Sequence, residues 1–243
     1  MKLGEALKRV LGDYASLFGL ETARTWFLLG AATVLQVAFW YLSTPGPGLR
    51  FAPRDPATAI EGIGFAVATL FLAPALLHIL TGGSLRELGL RIGDHRFGLA
   101  AVAVCAPIGI LLMVLSSGPG SGLQAAYPWA GSSIGDSLAV LVVWAAIYGL
   151  YYLAFEFFFR GFLLKLFVPA VGADLALWLQ AMAATLVHLG KPLPEVIAAL
   201  PASLLFGVIA LRSKSILYPA LLHLLIGLTL DVAILARQGA LFN

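Results

Sequence analysis

The sequence predicts an all-α protein, a polytopic bundle of about seven transmembrane helices preceded by an amphipathic helix. Three observations predict it. Hydrophobic residues fill 60% of the 243 positions and charged residues only 11%, against about 25% charged in a soluble domain. Mean hydropathy is +0.96, which makes lipid the expected solvent. The apolar residues also gather into long runs, and a helix needs about 20 such residues to cross the hydrocarbon core.

Residues 1–24 form the first expected element. Leu3, Leu7, Val10, Leu11, Tyr14, Leu17 and Phe18 recur at helical spacing among Lys2, Glu5, Lys8, Arg9 and Asp13. The pattern fits an amphipathic helix on the membrane surface and equally a cytoplasmic helix packed on the bundle. Charges spread through the stretch argue against a signal peptide.

The bundle occupies residues 25–243, with spans expected at 25–43, 59–81, 97–117, 136–167, 174–190, 195–212 and 216–236. Turn-rich breaks separate them, among them Thr44-Pro45-Gly46-Pro47-Gly48, Gly82-Gly83, Ser116-Ser117-Gly118-Pro119-Gly120 and Gly190-Lys191-Pro192-Leu193-Pro194. The fourth run, at about 48 Å, exceeds the roughly 30 Å hydrocarbon core and must tilt, kink or protrude.

With the N-terminus inside, eleven of the fifteen Lys and Arg residues fall on the inner side. The positive-inside rule then sets a cytoplasmic N-terminus in the cell membrane and an outer C-terminus. The net charge of +3 belongs to these basic loops, and no nucleic-acid partner is expected. The single cysteine, Cys105, allows no intrachain disulfide and no cysteine-based metal site.

Ionisable residues at membrane depth carry the functional information, because each is costly there. They are Glu61, His78, Glu156, Arg160, His188, His223 and Asp231. Glu156 and Arg160 stand four residues apart with the acid first, the favourable order for an ion pair on one helix face. That pair also has a purely structural reading, a lock between helices. A helical turn near Gly172 places Glu156 and His188 sixteen residues to either side, hence at similar depth. His223 enters from the last span.

Two chemistries fit one Glu and two His. A carboxylate and an imidazole can activate water while the second imidazole stabilises an oxyanion. Alternatively Glu156, His188 and His223 can hold a catalytic zinc, ranked second because no His-Glu-x-x-His stretch is present. The first reading needs no cofactor.

Around these residues the sequence resembles the CPBP family, the CAAX-protease and bacteriocin-processing membrane proteins, over roughly residues 136–235. Phe155-Glu156-Phe157-Phe158-Phe159-Arg160-Gly161 is similar to its Glu-Glu-x-x-x-Arg motif. Ala184-Thr185-Leu186-Val187-His188 is similar to its aromatic-x-x-x-His motif. His223-Leu224-Leu225-Ile226-Gly227 is similar to its His-x-x-x-Asn/Asp motif. Phe155 replaces the Glu that the family uses to activate water, Ala184 the aromatic, and Gly227 the polar residue that helps the last His hold an oxyanion.

The resemblance implies an intramembrane endopeptidase with Glu156, Arg160, His188 and His223 as its catalytic set. Glu156 activates water, His188 assists, His223 holds the oxyanion and Arg160 holds Glu156. Its partners are then the lipid bilayer and a membrane-associated peptide or protein substrate, such as a prenylated tail or a leader peptide. The alternative is a non-catalytic relative that binds or accompanies a partner in the membrane, favoured by Phe155. A small-solute transporter ranks lower, because no inverted repeat is seen.

Overall fold

Capping residues mark where the helices begin. Asp55 accepts a hydrogen bond from the Thr58 backbone N–H at 3.1 Å, with Pro56 in the first turn. Asp94 does the same for Phe97 at 3.1 Å, and Ser137 for Val140 at 3.3 Å. Each side chain satisfies one of the backbone donors that a helix start leaves unpaired.

In the computed structural model, residues 23–43 and 55–242 are described. They form α1 (Ala23–Ser43), α2 (Pro56–Leu80), α3 (His95–Ser116), α4 (Leu138–Val171), α5 (Ala173–Leu186), α6 (Leu193–Ser213) and α7 (Leu217–Arg237). The amphipathic helix expected over residues 1–24 lies outside the described residues, apart from the two that open α1.

Six of these helices are long and apolar enough to cross a membrane. The fifth expected span is the one that differs. α5 has only 14 residues, about 21 Å of helix. Its chain leaves helical geometry near His188 and passes through Gly190, at φ 95°, to Pro192 and the start of α6. Residues 187–192 then form the turn that leads into α6.

Hydrogen bonds sort the connections into two ends. At one end Arg24 meets His78 at 3.3 Å, and the Ile216 backbone N–H donates to the Gly89 carbonyl at 3.0 Å. At the other end Lys191 Nζ donates to the Tyr127 hydroxyl at 3.3 Å, and Arg237 Nε donates to Ser117 Oγ at 2.8 Å. The chain therefore alternates direction through all seven helices.

The long fourth run is a single 34-residue helix. It runs without a break and carries a wider π-helical turn over Phe157–Leu163. Such turns shift the helical face that follows them, and they recur at functional sites. Phe157, Phe158, Phe159 and Phe162 are fully buried around this turn. α7 packs mainly on α3 and on the first half of α4, which brings His223 against Glu156.

Candidate functional site

α4 sets out its polar side chains four residues apart. Tyr148, Tyr152, Glu156 and Arg160 thus share one side of the helix, and they face the interior because that side packs on α7. Glu156 is wholly buried and Arg160 is 1% exposed. A charge so placed needs a partner, and each has two.

Glu156 Oε1 accepts a hydrogen bond from His223 Nδ1 at 2.7 Å. Glu156 Oε2 lies 3.1 Å from Arg160 Nε, an ion pair whose angles are not those of a hydrogen bond. Arg160 Nη2 donates to Ser203 Oγ on α6 at 3.1 Å. Arg160 Nη1 is buried and has no hydrogen-bond partner among the described residues. The guanidinium also lies over the rings of Phe155 and Phe206, 5.7 and 5.5 Å from their centroids. Such contacts soften the cost of burying the charge.

A cavity of about 280 Å³ opens beside this cluster. Its wall includes Arg160, His188, His223, Tyr152, Phe155 and Glu195. Glu156 is not part of the wall, and its carboxylate is taken up by His223 and Arg160. The ring of Phe155 stands edge-on between the two imidazoles, 5.8 Å from His188 and 5.5 Å from His223. Counting from Gly172 thus gives the right depth for His188, but it is Phe155 rather than Glu156 that meets it.

Both imidazoles have a fixed orientation. His188 Nδ1 donates to the Ala184 carbonyl at 2.7 Å, and His223 Nδ1 donates to Glu156. A carbonyl and a carboxylate only accept, so in each ring Nδ1 carries a proton, and in the neutral ring Nε2 keeps its lone pair. The site can therefore take a proton from a bound water and return it elsewhere.

Sequence reasoning missed several members of the wall. Tyr152 has its ring 4.3 Å from that of His223. Its hydroxyl fills the space beside Gly227, where any added Cβ would collide with it. Glu195 is a second overlooked group. It accepts from the Tyr127 hydroxyl at 2.8 Å and from Lys191 Nζ at 2.6 Å. Burial, and then the charge of Glu195, push the Tyr127 hydroxyl well above its ordinary pKa, so it stays a donor. Burial works against the charge on Lys191, but Glu195 beside it outweighs that and raises its pKa. The spacing of Lys191 and Glu195, four residues apart, is a signal the sequence did carry.

Of the seven ionisable residues expected at membrane depth, Glu156, Arg160, His188 and His223 converge. Glu61 is exposed on α2. His78 is buried at the other end, between Arg24 and Glu87. Asp231 is fully buried, and it accepts from the Trp144 indole N–H at 3.0 Å. Among the described residues, no three His, Cys, Asp or Glu side chains are grouped so as to hold a metal ion.

Residues 135–229 match the family model described as Type II CAAX prenyl endopeptidase Rce1-like. Over these residues the chain is similar to that family. The matched segment is less than half of the chain, and it holds all four converging residues. It agrees with the CPBP resemblance carried by the three motifs. No curated protein and no solved structure matches the chain. With its six long apolar helices, the protein is an integral membrane protein, and the segment that holds the candidate site is the one similar to the Rce1-like model.

Proposed function

We propose that the protein is an intramembrane endopeptidase that hydrolyses a peptide bond of a membrane-associated peptide or protein. The observation that carries this reading is the 2.7 Å contact of Glu156 with His223 at the wall of a cavity shared with His188. A carboxylate behind Nδ1 orients an imidazole and stabilises its protonated form, which makes Nε2 a competent base.

In this reading His223 takes a proton from a water in the cavity, and the resulting hydroxide adds to the substrate carbonyl carbon. The carbonyl oxygen becomes an oxyanion. Arg160 Nη1 and the Tyr152 hydroxyl are the donors suited to it, the first because it is buried without a partner. The proton then passes from His223 to the leaving nitrogen, the C–N bond breaks and a carboxylic acid and an amine are released. His188 holds the attacking water through Nε2. Glu156 acts through His223 instead of touching the water, and Arg160 holds Glu156.

Purified protein presented with a library of membrane peptides is expected to release cleaved products, and His223→Ala to release none. Equal cleavage by both would remove His223 from the mechanism. No product from either would favour the second reading, a non-catalytic relative that binds a membrane partner. The apolar ring of Phe155 between the imidazoles is the observation on that side.

The proposed reaction uses no metal, because the oxygens of Glu156 are occupied by His223 and Arg160. Cleavage is therefore expected to survive exhaustive chelation. Stoichiometric zinc that disappears in His188→Ala would reverse this.

We further place the protein in the cell membrane with a cytoplasmic N-terminus, from the asymmetry of Lys and Arg. A reporter fused after Asn243 should then read as external, and a cytoplasmic reading would overturn the arrangement.

A further inference from the structure

The end of the bundle away from the catalytic cavity carries a cleft of about 620 Å³ between the α2–α3 and α6–α7 connections. Arg86, Arg91, Arg212 and Lys214 line it, with Asp94 as the one carboxylate. Asp94 is already engaged, by Arg212 Nη1 at 3.0 Å and by the Phe97 backbone N–H. Arg86 and Lys214 are exposed, and neither they nor the terminal nitrogens of Arg91 have a carboxylate partner among the described residues.

The two connections are latched together. Arg91 Nε donates to the Lys214 carbonyl at 2.9 Å, and the Asp94 backbone N–H donates to the Ser213 carbonyl at 2.7 Å. The Tyr218 hydroxyl donates to the Ile92 carbonyl at 2.9 Å. These bonds hold the cations around one concavity before any ligand arrives, which lowers the ordering cost of binding. A loop whose only task is to bias topology needs positive charge but not this arrangement.

Ile92 lines the same cleft with 67% of its surface exposed. An apolar side chain beside unpaired cations suits an amphiphile better than a free ion. Like charges brought together at the end of membrane-spanning helices attract the anionic groups at the bilayer surface.

We propose that this cleft binds a phosphate ester, carried by the headgroup of an anionic phospholipid, with Arg86, Arg91 and Lys214 as its donors. The site is independent of the peptidase reading and lies at the opposite end of the bundle from it.

Native mass spectrometry of delipidated protein in neutral detergent tests this, with phosphatidylglycerol as ligand and phosphatidylcholine as the zwitterionic comparison. Phosphatidylglycerol should bind the more tightly. Each surface cation contributes roughly fivefold in affinity, so Arg86→Gln with Lys214→Gln should weaken it about 25-fold. Phosphatidylcholine carries the same phosphate but offsets it with its own choline cation, so its binding should start weaker and fall by less. Both side chains are exposed and unpaired, so the variants should fold, and either single variant reads about a fivefold loss. Glycerol 3-phosphate distinguishes the sources. Failure to compete assigns the site to the lipid, and full competition assigns it to free phosphate esters. Equal affinity for the two lipids, or undiminished phosphatidylglycerol binding in the double variant, would overturn the proposal.

Discussion

Glu156→Gln is expected to lower kcat by about 10³-fold or more, with KM little changed. Amidating the carboxylate behind a catalytic imidazole has effects of this scale, because the ring loses both its tautomer and the support for its charged form. The substitution is nearly isosteric: with its amide oxygen toward the Arg160 guanidinium, its NH2 group faces His223 Nδ1 as a donor and the ring proton moves to Nε2. A loss confined to kcat therefore separates a positioning carboxylate from a residue that merely fills space. Full activity in this variant would remove Glu156 from the mechanism. Phe155→Glu is the complementary variant, since it puts a carboxylate into the cavity wall between the two imidazoles. If the natural protein is silent and this variant cleaves, the chain is a lapsed enzyme whose remaining machinery is intact.

Arg160→Ala is expected to produce the largest loss of stability. It strips the counter-charge from a carboxylate that no solvent reaches and leaves Ser203 without its donor. Breaking a buried pair by removing one partner costs about 3–5 kcal/mol in soluble proteins. For a chain of this size that corresponds to a fall in melting temperature on the order of 10 °C. Thermal unfolding in detergent measures it. Glu156→Leu with Arg160→Met should recover part of the loss, because neither charge then remains buried alone. An unchanged melting temperature in Arg160→Ala would mean that water reaches the pair and screens it.

How legible these features were depended on which physical signal carried them. The spans, and the turn at Gly172, follow from apolar length and from a constant helical rise, so His188 fell at the right depth. The same counting assigned Glu156 as its neighbour. It could not tell Glu156 from Phe155, because adjacent residues share a depth and differ only in direction. The π-helical turn that begins at Phe157 leaves no trace in an apolar run. Tyr152 and Tyr148 were invisible for a related reason, since a tyrosine in a hydrophobic stretch reads as core until its hydroxyl is located. Lys191 and Glu195 read as ordinary loop charges, because their burial depends on Tyr127, which is distant in sequence. The sequence predicts too long a fifth helix because Val187 and Leu189 continue the apolar pattern past Leu186, where the helix ends.

The contact between Tyr152 and Gly227 makes two positions on different helices share one volume. A side chain at 227 meets the Tyr152 hydroxyl, the far end of that side chain, so the ring must turn aside to admit it. The same ring lies 4.3 Å from that of His223, so a change at 227 reaches the imidazole without touching it. Position 227 is therefore a place from which the tilt of the proposed base can be tuned, one turn further along its own helix.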